Sequence, residues 1–311
     1  MEVENRPIPD PIERRIGVIT IRGADYHPTL RMAEAAEQRG WGVVPIHPYR
    51  LWPAYQEGRP VLLGKDADMT FDAVMPRQGA EIKDACLPLI GHMAQMGIRV
   101  INCREAIECA RHKFFTLQAL ADAGLPVAPT LFAAAADGVR EAMVGFGTRG
   151  AVLKPVSGRQ GRGICRLMLG ETLPPDLEEE LAAGRGVLVQ AYIPPEGRRD
   201  YRVLVIGGQV AGAMRLAPAP NDFRANVHLG GQGSAVELNE ELADMAVRSA
   251  SAVGLEIAGV DLMVDADGKR FVNEVNYAPG FRGLEAATGK DIAGVMIDYV
   301  IGVIGERSVM S

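Results

Sequence analysis

Cysteine is scarce in this chain and forms no pattern. Cys86, Cys103, Cys109 and Cys165 are the only four among 311 residues. They make no C-x-x-C pair and no zinc spacing, which argues against a thiolate metal site or a disulfide scaffold. They are expected to be buried thiols in a reducing, cytoplasmic setting. No run of about 18 apolar residues occurs, so no membrane span is expected. The last apolar stretch, residues 295–304, is interrupted by Asp298 and is expected to close the fold as an amphipathic helix. Residues 1–14 lack the apolar core of a secretory signal; they are polar, charged and proline-containing, and read as a loose arm. A basic surplus is lacking too. The net charge is −6, so nothing favours nucleic acid as a general partner. There is no internal repeat or low-complexity tract. Hydrophobic content of 48% and charged content of 23% are those of an ordinary globular protein. The length suggests two or three compact units rather than one core.

Strand and helix signals alternate first and then change character. Residues 15–22, 42–46, 73–76 and 98–101 read as strands, with helices over 29–39 and 84–96. This alternation predicts a parallel sheet with crossover helices in an α/β unit over residues 15–105. Residues 105–123 read as one helix, stopped by Gly124-Leu125-Pro126. Strands are expected at 127–132, 151–154 and 187–190, with an acidic helix at 175–183. Gly207-Gly208 between 202–206 and 210–214 signals a hairpin, and a helix over 240–253 follows. Asp267-Gly268 between 259–264 and 271–275 signals another. This later part is mixed α+β, built on antiparallel pairs.

The last hairpin places chemistry. Counted outward from Asp267-Gly268, Asp265 faces Arg270, Met263 faces Val272 and Asp261 faces Glu274. Asn276 shares the face of Glu274. Opposed carboxylates destabilise a strand pair, by about 4 kcal/mol at about 4 Å in a partly protein-like dielectric. A divalent cation resolves the clash, and hard oxygen ligands point to magnesium or manganese. A side chain bent to solvent, or a register shifted by one residue, would resolve it as well.

Basic residues gather elsewhere. In AVLKPVSGRQGRG a strand delivers Lys154, and a loop with three glycines and two arginines follows. Glycines let backbone N–H groups approach phosphate, and arginines add charged donors. The order of the glycines does not fit a dinucleotide-binding turn, and no Gly-Lys-Ser/Thr makes it a Walker loop. A flexible surface loop is the plain alternative. Lys113 follows His112 at a helix head; most such lysines are solvated. VLVQAYI is a buried strand that turns polar at Gln190 and could edge an adenine ring, or could simply be core. Counted from Gly207-Gly208, Asp200 faces Arg215 and Arg202 faces Ala213. An Asp200–Arg215 ion pair would leave Arg202 as a spare cation on their shared face. Arg224-Ala225-Asn226 adds another cation and an amide. Lys154, Arg202, Arg215 and Arg224 with the acidic pair together suggest a metal–nucleotide phosphate site.

The order of these motifs resembles the ATP-grasp superfamily, and within it the RimK-like carboxylate–amine ligases. The strings are RHKFFTLQALADAGLPVAPT, VLKPVSGRQGRG, VLVQAYI, DYRVLVIGGQVAGAMR, FRANVHLGGQG, GVDLMV and VNEVNYAPG, with MPRQGAEI and its Arg77 similar to a substrate-side segment. The resemblance implies an ATP-grasp fold: an N-terminal Rossmann-like pre-ATP-grasp domain over 15–105, a small lobe over 106–189 and a large lobe over 190–311. It implies that Lys113 and Lys154 contact ATP and that the loop of Ser157, Gly158, Gly161 and Gly163 covers the phosphates. Gln190, Ala191, Tyr192 and Ile193 would hold adenine, and Asp200 would contact the nucleotide. Lys154, Arg202 and Arg215 would stabilise transferring charge, with Arg224, Ala225 and Asn226 serving phosphate. Asp261, Glu274 and Asn276 match the metal ligands. Tyr277-Ala278 and Gln78 depart from the usual pattern near the acceptor.

The implied activity is an ATP- and Mg- (or Mn-) dependent ligase joining a carboxylate to an amine through an acyl phosphate. Glutamate is the expected amino acid, with a small-molecule or pterin-type cofactor favoured as acceptor over a protein tail or amino-group carrier. Homo-oligomers are common in the family. An ATP-binding regulatory protein and a phosphotransferase of the same fold are the rivals.

Overall fold

The computed structural model describes residues 14–67, 69–77, 86–147, 150–157, 163–218 and 232–310. Apart from Arg14, the expected N-terminal arm lies outside them.

The chain begins with β1 (Arg15–Ile19), α1 (His27–Glu37), β2 (Gly42–Ile46), β3 (Leu51–Gln56), β4 (Arg59–Gly64), β5 (Ala73–Pro76), α2 (Cys86–Gln95) and β6 (Arg99–Val100). The expected parallel sheet forms, in the order β2-β1-β5-β6. Its strands are near-continuous apolar runs because both faces are covered. Ile16, Val18, Ala73 and Met75 pack with Met32 and Ala35 of α1. Ile19 and Val74 pack with Leu89 and Met93 of α2 on the other side. The ribbon β3–β4 went unseen in the sequence, since Pro53 and Pro60 argue against strands. It holds as an isolated pair against α2, with Tyr55 edge-on to His92.

The single helix expected over 105–123 is two: α3 (Arg104–Arg111) and α4 (Lys113–Asp122). Between them His112 is extended, and its Nδ1 accepts the Phe115 N–H at 3.3 Å. This cap restarts the helix with Lys113 at its first position. Next come β7 (Thr130–Ala133), α5 (Ala136–Phe146), β8 (Ala151–Pro155), β9 (Cys165–Leu167), α6 (Pro175–Ala182) and β10 (Val187–Ala191). Their antiparallel sheet has the order β7-β10-β8-β9. Leu153, Val187 and Val189 bury against Met143 of α5 and Leu177 of α6.

The rest is β11 (Arg199–Ile206), β12 (Gln209–Ala217), β13 (Gln232–Ala235), α7 (Glu240–Val253), β14 (Ile257–Val264), β15 (Arg270–Asn276), α8 (Arg282–Thr288) and α9 (Ile292–Met310). The five strands form an antiparallel sheet, ordered β13-β12-β11-β14-β15. Asn239 caps α7 and Gly254, at φ 78°, ends it in the left-handed region. Met245, Ala246 and Val253 of α7 cover one face of the sheet, against Val203, Val260 and Val275. Leu284, Met296 and Ile297 of α8 and α9 cover part of the other, against Leu204, Ile206 and Ile257. Among the described residues no helix is long and apolar enough to cross a membrane. Cys86 is buried as expected; the other three thiols are half-buried, and all four are free.

Both hairpins carry a bulge that the counting did not foresee. Between β14 and β15 the turn is wider than two residues, closing with Asp265 N–H to Lys269 O at 2.9 Å. Val264 therefore faces Arg270, Met263 faces Phe271 and Leu262 faces Val272, each one residue off the expected pairing. Asn273 is then inserted as an extra residue, which restores Asp261 opposite Glu274. Between β11 and β12 the turn follows the count, with Ile206 opposite Gln209. Gly207 and Gly208 both take positive φ, 56° and 74°, as a tight hairpin turn requires. Ala211 is then the extra residue. Asp200 faces Leu216, Arg202 faces Met214, and Arg215 faces Tyr201. Arg215 consequently belongs to the opposite face from Asp200 and Arg202, contrary to expectation.

Candidate active site

One face of the five-stranded sheet changes character along its length. Ile206 and Ile257 lie under α9 at one end. At the other, Arg202, Asp261 and Glu274 stand side by side across β11, β14 and β15. Asn276 follows two residues after Glu274, opposite Gly259.

Each carboxylate is met by a cation. Arg202 donates from Nε and Nη2 to Asp261 Oδ1 and Oδ2 at 2.7 and 2.6 Å, a bidentate pair. Lys113 Nζ donates to Glu274 Oε1 at 2.7 Å. Burial pushes the Glu274 carboxyl up, but Lys113, then Lys154 and Arg202, outweigh it and hold it at about 2. Burial also pushes Asp261 up, against the pull of Arg202. Arg202 is itself held above its ordinary value, first by Asp261.

Lys154 is held differently. It sits near the end of β8, and its Nζ donates to Gln190 Oε1 at 2.8 Å and Asn273 Oδ1 at 3.2 Å. Gln190 Nε2 in turn donates to Thr130 Oγ1 at 3.0 Å, and Thr130 Oγ1 to the Ala128 carbonyl at 2.8 Å. Burial, followed by the nearby Lys113 charge, depresses Lys154 to about 8, against the pull of Glu274. A cleft opens beside these groups. Ala110, Leu117 and Leu188 form its apolar wall; Lys113, Lys154, Gln190, Asn273 and Glu274 form its polar one. A cleft with an apolar wall facing convergent polar groups suits a small polar ligand that also carries an apolar part.

The structure thus brings Lys113, Lys154, Gln190, Arg202, Asp261 and Glu274 together, with Asn276 on the same face. Other expected residues lie differently. Asp200 pairs with Arg198 at 2.9 Å rather than with Arg215, and burial pushes its carboxyl up, Arg198 opposing. Arg202 is the partner of Asp261 and not a spare cation. The side chain of Gln190 is committed to Lys154 and Thr130. The Ala191 N–H donates to Pro129 O at 2.8 Å, and Ile193 O accepts from Arg198 Nη1 at 2.8 Å. The Arg166 guanidinium lies 3.9 Å from the Tyr192 ring centroid. Ser157 is exposed just past β8. Gly163 has φ 68°, and a Cβ there would stand 2.9 Å from Pro155 Cγ. Gly158, Gly161, Arg224, Ala225 and Asn226 lie outside the described residues.

Three residues were missed: Thr130, Arg198 and Asn273. Arg198 was legible, being two residues from Asp200 and so on its face. Asn273 was not, because only the bulge turns it toward the cleft.

The donor set suits a hard cation. Among the described residues it offers two carboxylates and an amide oxygen on one sheet face, without thiolate or imidazole. Among the described residues no group of three or more His, Cys, Asp and Glu converges. So few protein ligands are what magnesium takes when substrate phosphates complete its shell.

Residues 110–300 match the family model of the RimK-like ATP-grasp domain, and residues 15–107 that of the RimK PreATP-grasp domain. The chain belongs to the RimK-like ATP-grasp family. It is similar to a "Probable alpha-L-glutamate ligase" of Aliivibrio salmonicida (strain LFI1238), 34% identical over 92% of this chain and 95% of the relative. A protein of the same description from Vibrio cholerae serotype O1 (strain M66-2) is also 34% identical, with the same coverage. Among solved structures, the ATP-grasp ligase PsnB complexed with minimal precursor has a TM-score of 0.72 at 26% identity, over 93% of this chain and 99% of that one. The same ligase with minimal precursor, Mg and ADP has a TM-score of 0.69 at 25% identity, over 93% and 97%. As the sequence implied, this RimK-like protein has the ATP-grasp fold with an N-terminal pre-ATP-grasp domain and is an ATP-dependent ligase.

Proposed function

We propose that this ligase joins L-glutamate to a carboxylate-bearing acceptor, using ATP and magnesium in the cleft beside Lys154. The observation that carries the reading is the row Arg202–Asp261–Glu274 ending at Asn276, with Lys113 and Lys154 facing it. It combines oxygen donors for a hard cation with cations for phosphate. Asp261, Glu274 and Asn276 would hold magnesium, which when bound neutralises phosphate oxygens and orients them for displacement. Lys113 and Lys154 bind and orient the nucleotide from the cleft wall. The acceptor carboxylate takes the terminal phosphoryl group of ATP, giving an acyl phosphate and ADP. The amine attacks that carbonyl, phosphate leaves, and an amide and a proton result. Lys154 and Arg202 oppose the charge that develops; Arg215, on the other face of the sheet, is left out of this role. Removing one such donor costs about 3–4 kcal/mol of barrier. Glutamate is supported by the description of the relatives, and magnesium by the PsnB complex with Mg and ADP. The pterin acceptor has no such support. A peptide acceptor has some, because PsnB is bound to a minimal precursor and to a precursor peptide.

The test is ADP release with ATP, magnesium, glutamate and a panel of peptide and small-molecule acids, with products weighed by mass spectrometry. Release should need both acid and amine, and hydroxylamine should trap the acyl group. Equal release without an amine, or a stable phosphorylated product, would sink the ligase mechanism.

A further inference from the structure

The cations around the cleft are not held alike. Lys113 and Arg202 each sit on a carboxylate, at 2.7 Å and in a bidentate pair. To serve an incoming anion, either must give up an ion pair. Lys154 instead rests on two neutral amide oxygens, those of Gln190 and Asn273, at 2.8 and 3.2 Å. An ammonium group has three donors, so among the described residues this cradle leaves one over. Glu274 and Asp261 are close enough to act on its charge, yet Lys154 donates to neither.

Both cradle oxygens are themselves fixed. Gln190 lies in a buried strand and is turned by its bond to Thr130. Asn273 is the inserted residue of the β15 bulge. In an unbulged strand it would alternate to the opposite face from Glu274; here both line the cleft. The bulge is pinned from outside, where the Val272 N–H donates to Pro126 O at 2.8 Å.

We propose that Gln190 and the bulged Asn273 are positioning residues that keep Lys154 off the acidic pair with neutral oxygens, so that its charge is free for the nucleotide polyphosphate. The proposal rests on the nucleotide reading above for its ligand, but not for the cradle itself. Charge in either oxygen, rather than loss of its volume, is what the cradle cannot tolerate. Asn273→Asp and Gln190→Glu preserve shape and would capture Lys154 in a new ion pair.

Two measurements test this on the full chain. The first is MgADP affinity by calorimetry, with KM and kcat for ATP. Both acidic variants should bind at least about tenfold more weakly, or about 1.4 kcal/mol, and more weakly than Asn273→Ala, with KM raised more than kcat falls. Their melting temperatures should not drop, whereas Asn273→Ala should melt lower. A packing role would give the reverse order, with truncation worse than the isosteric change. The second is acylation of Lys154 in the ligand-free protein, read by peptide mass mapping across pH. Both acidic variants should slow it and move its midpoint upward. Wild-type labelling in both would overturn the cradle whatever the ligand. An effect of Asn273→Asp without one of Gln190→Glu would place the cause at the adjoining acidic pair and also overturn it. Slowed labelling in both variants, in a protein that binds no nucleotide, would keep the cradle and refute the nucleotide reading.

Discussion

Lys113 and Glu274 are paired with one another, and this has a consequence for binding order. A metal ion arriving alone must displace an ammonium from Glu274, whereas one arriving with polyphosphate offers that ammonium a new partner. Lys113→Met is expected to strengthen Mn2+ binding to the nucleotide-free protein about tenfold and to weaken MgADP binding by a similar factor, since it removes one charged partner on each side. Electron paramagnetic resonance titration of free Mn2+ reads the first effect; equal Mn2+ affinity in the variant would refute it. Lys154 sets a pH dependence. Its proton is lost near 8 in the folded protein and at 10.5 in an unperturbed lysine. Polyphosphate favours the charged form, so binding takes up a proton in that interval, and nucleotide affinity should fall as pH rises through about 8. Calorimetry in buffers of different ionisation enthalpy would detect the uptake. Glu274 works in the opposite range. Its folded value near 2 lies below the ordinary 4.5, so its stabilisation is present above 4.5 and is lost as pH falls toward 2.

At the scale of elements, the site is held by a buried amide. Asn102, 2% exposed, follows β6 and grips the two strands that carry the acidic pair, at the start of β14 and just past the end of β15. Its Nδ2 donates to Ile257 O and Tyr277 O at 2.8 and 2.9 Å, and its Oδ1 accepts from Glu256 and Ile257 N–H at 2.8 and 2.9 Å. Asn102→Ala leaves buried backbone groups unpaired and should destabilise by about 2–4 kcal/mol in urea unfolding. A loss under about 0.5 kcal/mol would mean that water replaces the amide. Because Tyr277 is next to Asn276, ligation should weaken in folded Asn102→Ala as well. Much of this element-level order was legible. The parallel sheet, α7 and the apolar strands followed from periodicity and turn residues. The ribbon β3–β4 did not, since its prolines read against strands. Nor did the break at His112, because nothing in the helical run of 105–123 marks it except that residue.

For the whole molecule, the question is what holds the pre-ATP-grasp sheet to the rest. Charged pairs join α1 and the turn after it to the C-terminal segment: Arg31 to Glu285 of α8 and to Asp291 just before α9, at 3.3 and 3.0 Å, and Arg39 to Asp298 of α9 at 2.5 Å. These are partly exposed, and such pairs contribute about 0–1 kcal/mol each. Beneath them Ile292, Met296, Ile297 and Val300 of α9 are fully buried in one core with Ile16, Val18 and Met32. Met296→Ala should cost about 2–5 kcal/mol, and Arg31→Met under about 1. Thermal melts of the two variants compare the terms. A larger loss in Arg31→Met would show that charge, not burial, carries the contact.

The sequence by itself determined which residue types meet at the site and in what chain order. The acidic pair, the lysine at the end of β8 and the hairpin signals were all readable, because side-chain period and turn chemistry are local. Even the opposition of Asp261 and Glu274 came out as counted, although a wider turn and a compensating bulge lay beneath it. Only the tertiary structure decided who partners whom. It took Arg215 off the face of Asp200, gave Arg202 to Asp261 and Lys113 to Glu274, and turned Asn273 toward Lys154. The physical reason is that one inserted residue reverses every side chain beyond it. Whether a strand takes that insertion depends on the partners packed against it, such as Pro126 at the edge of β15, which no local pattern reveals.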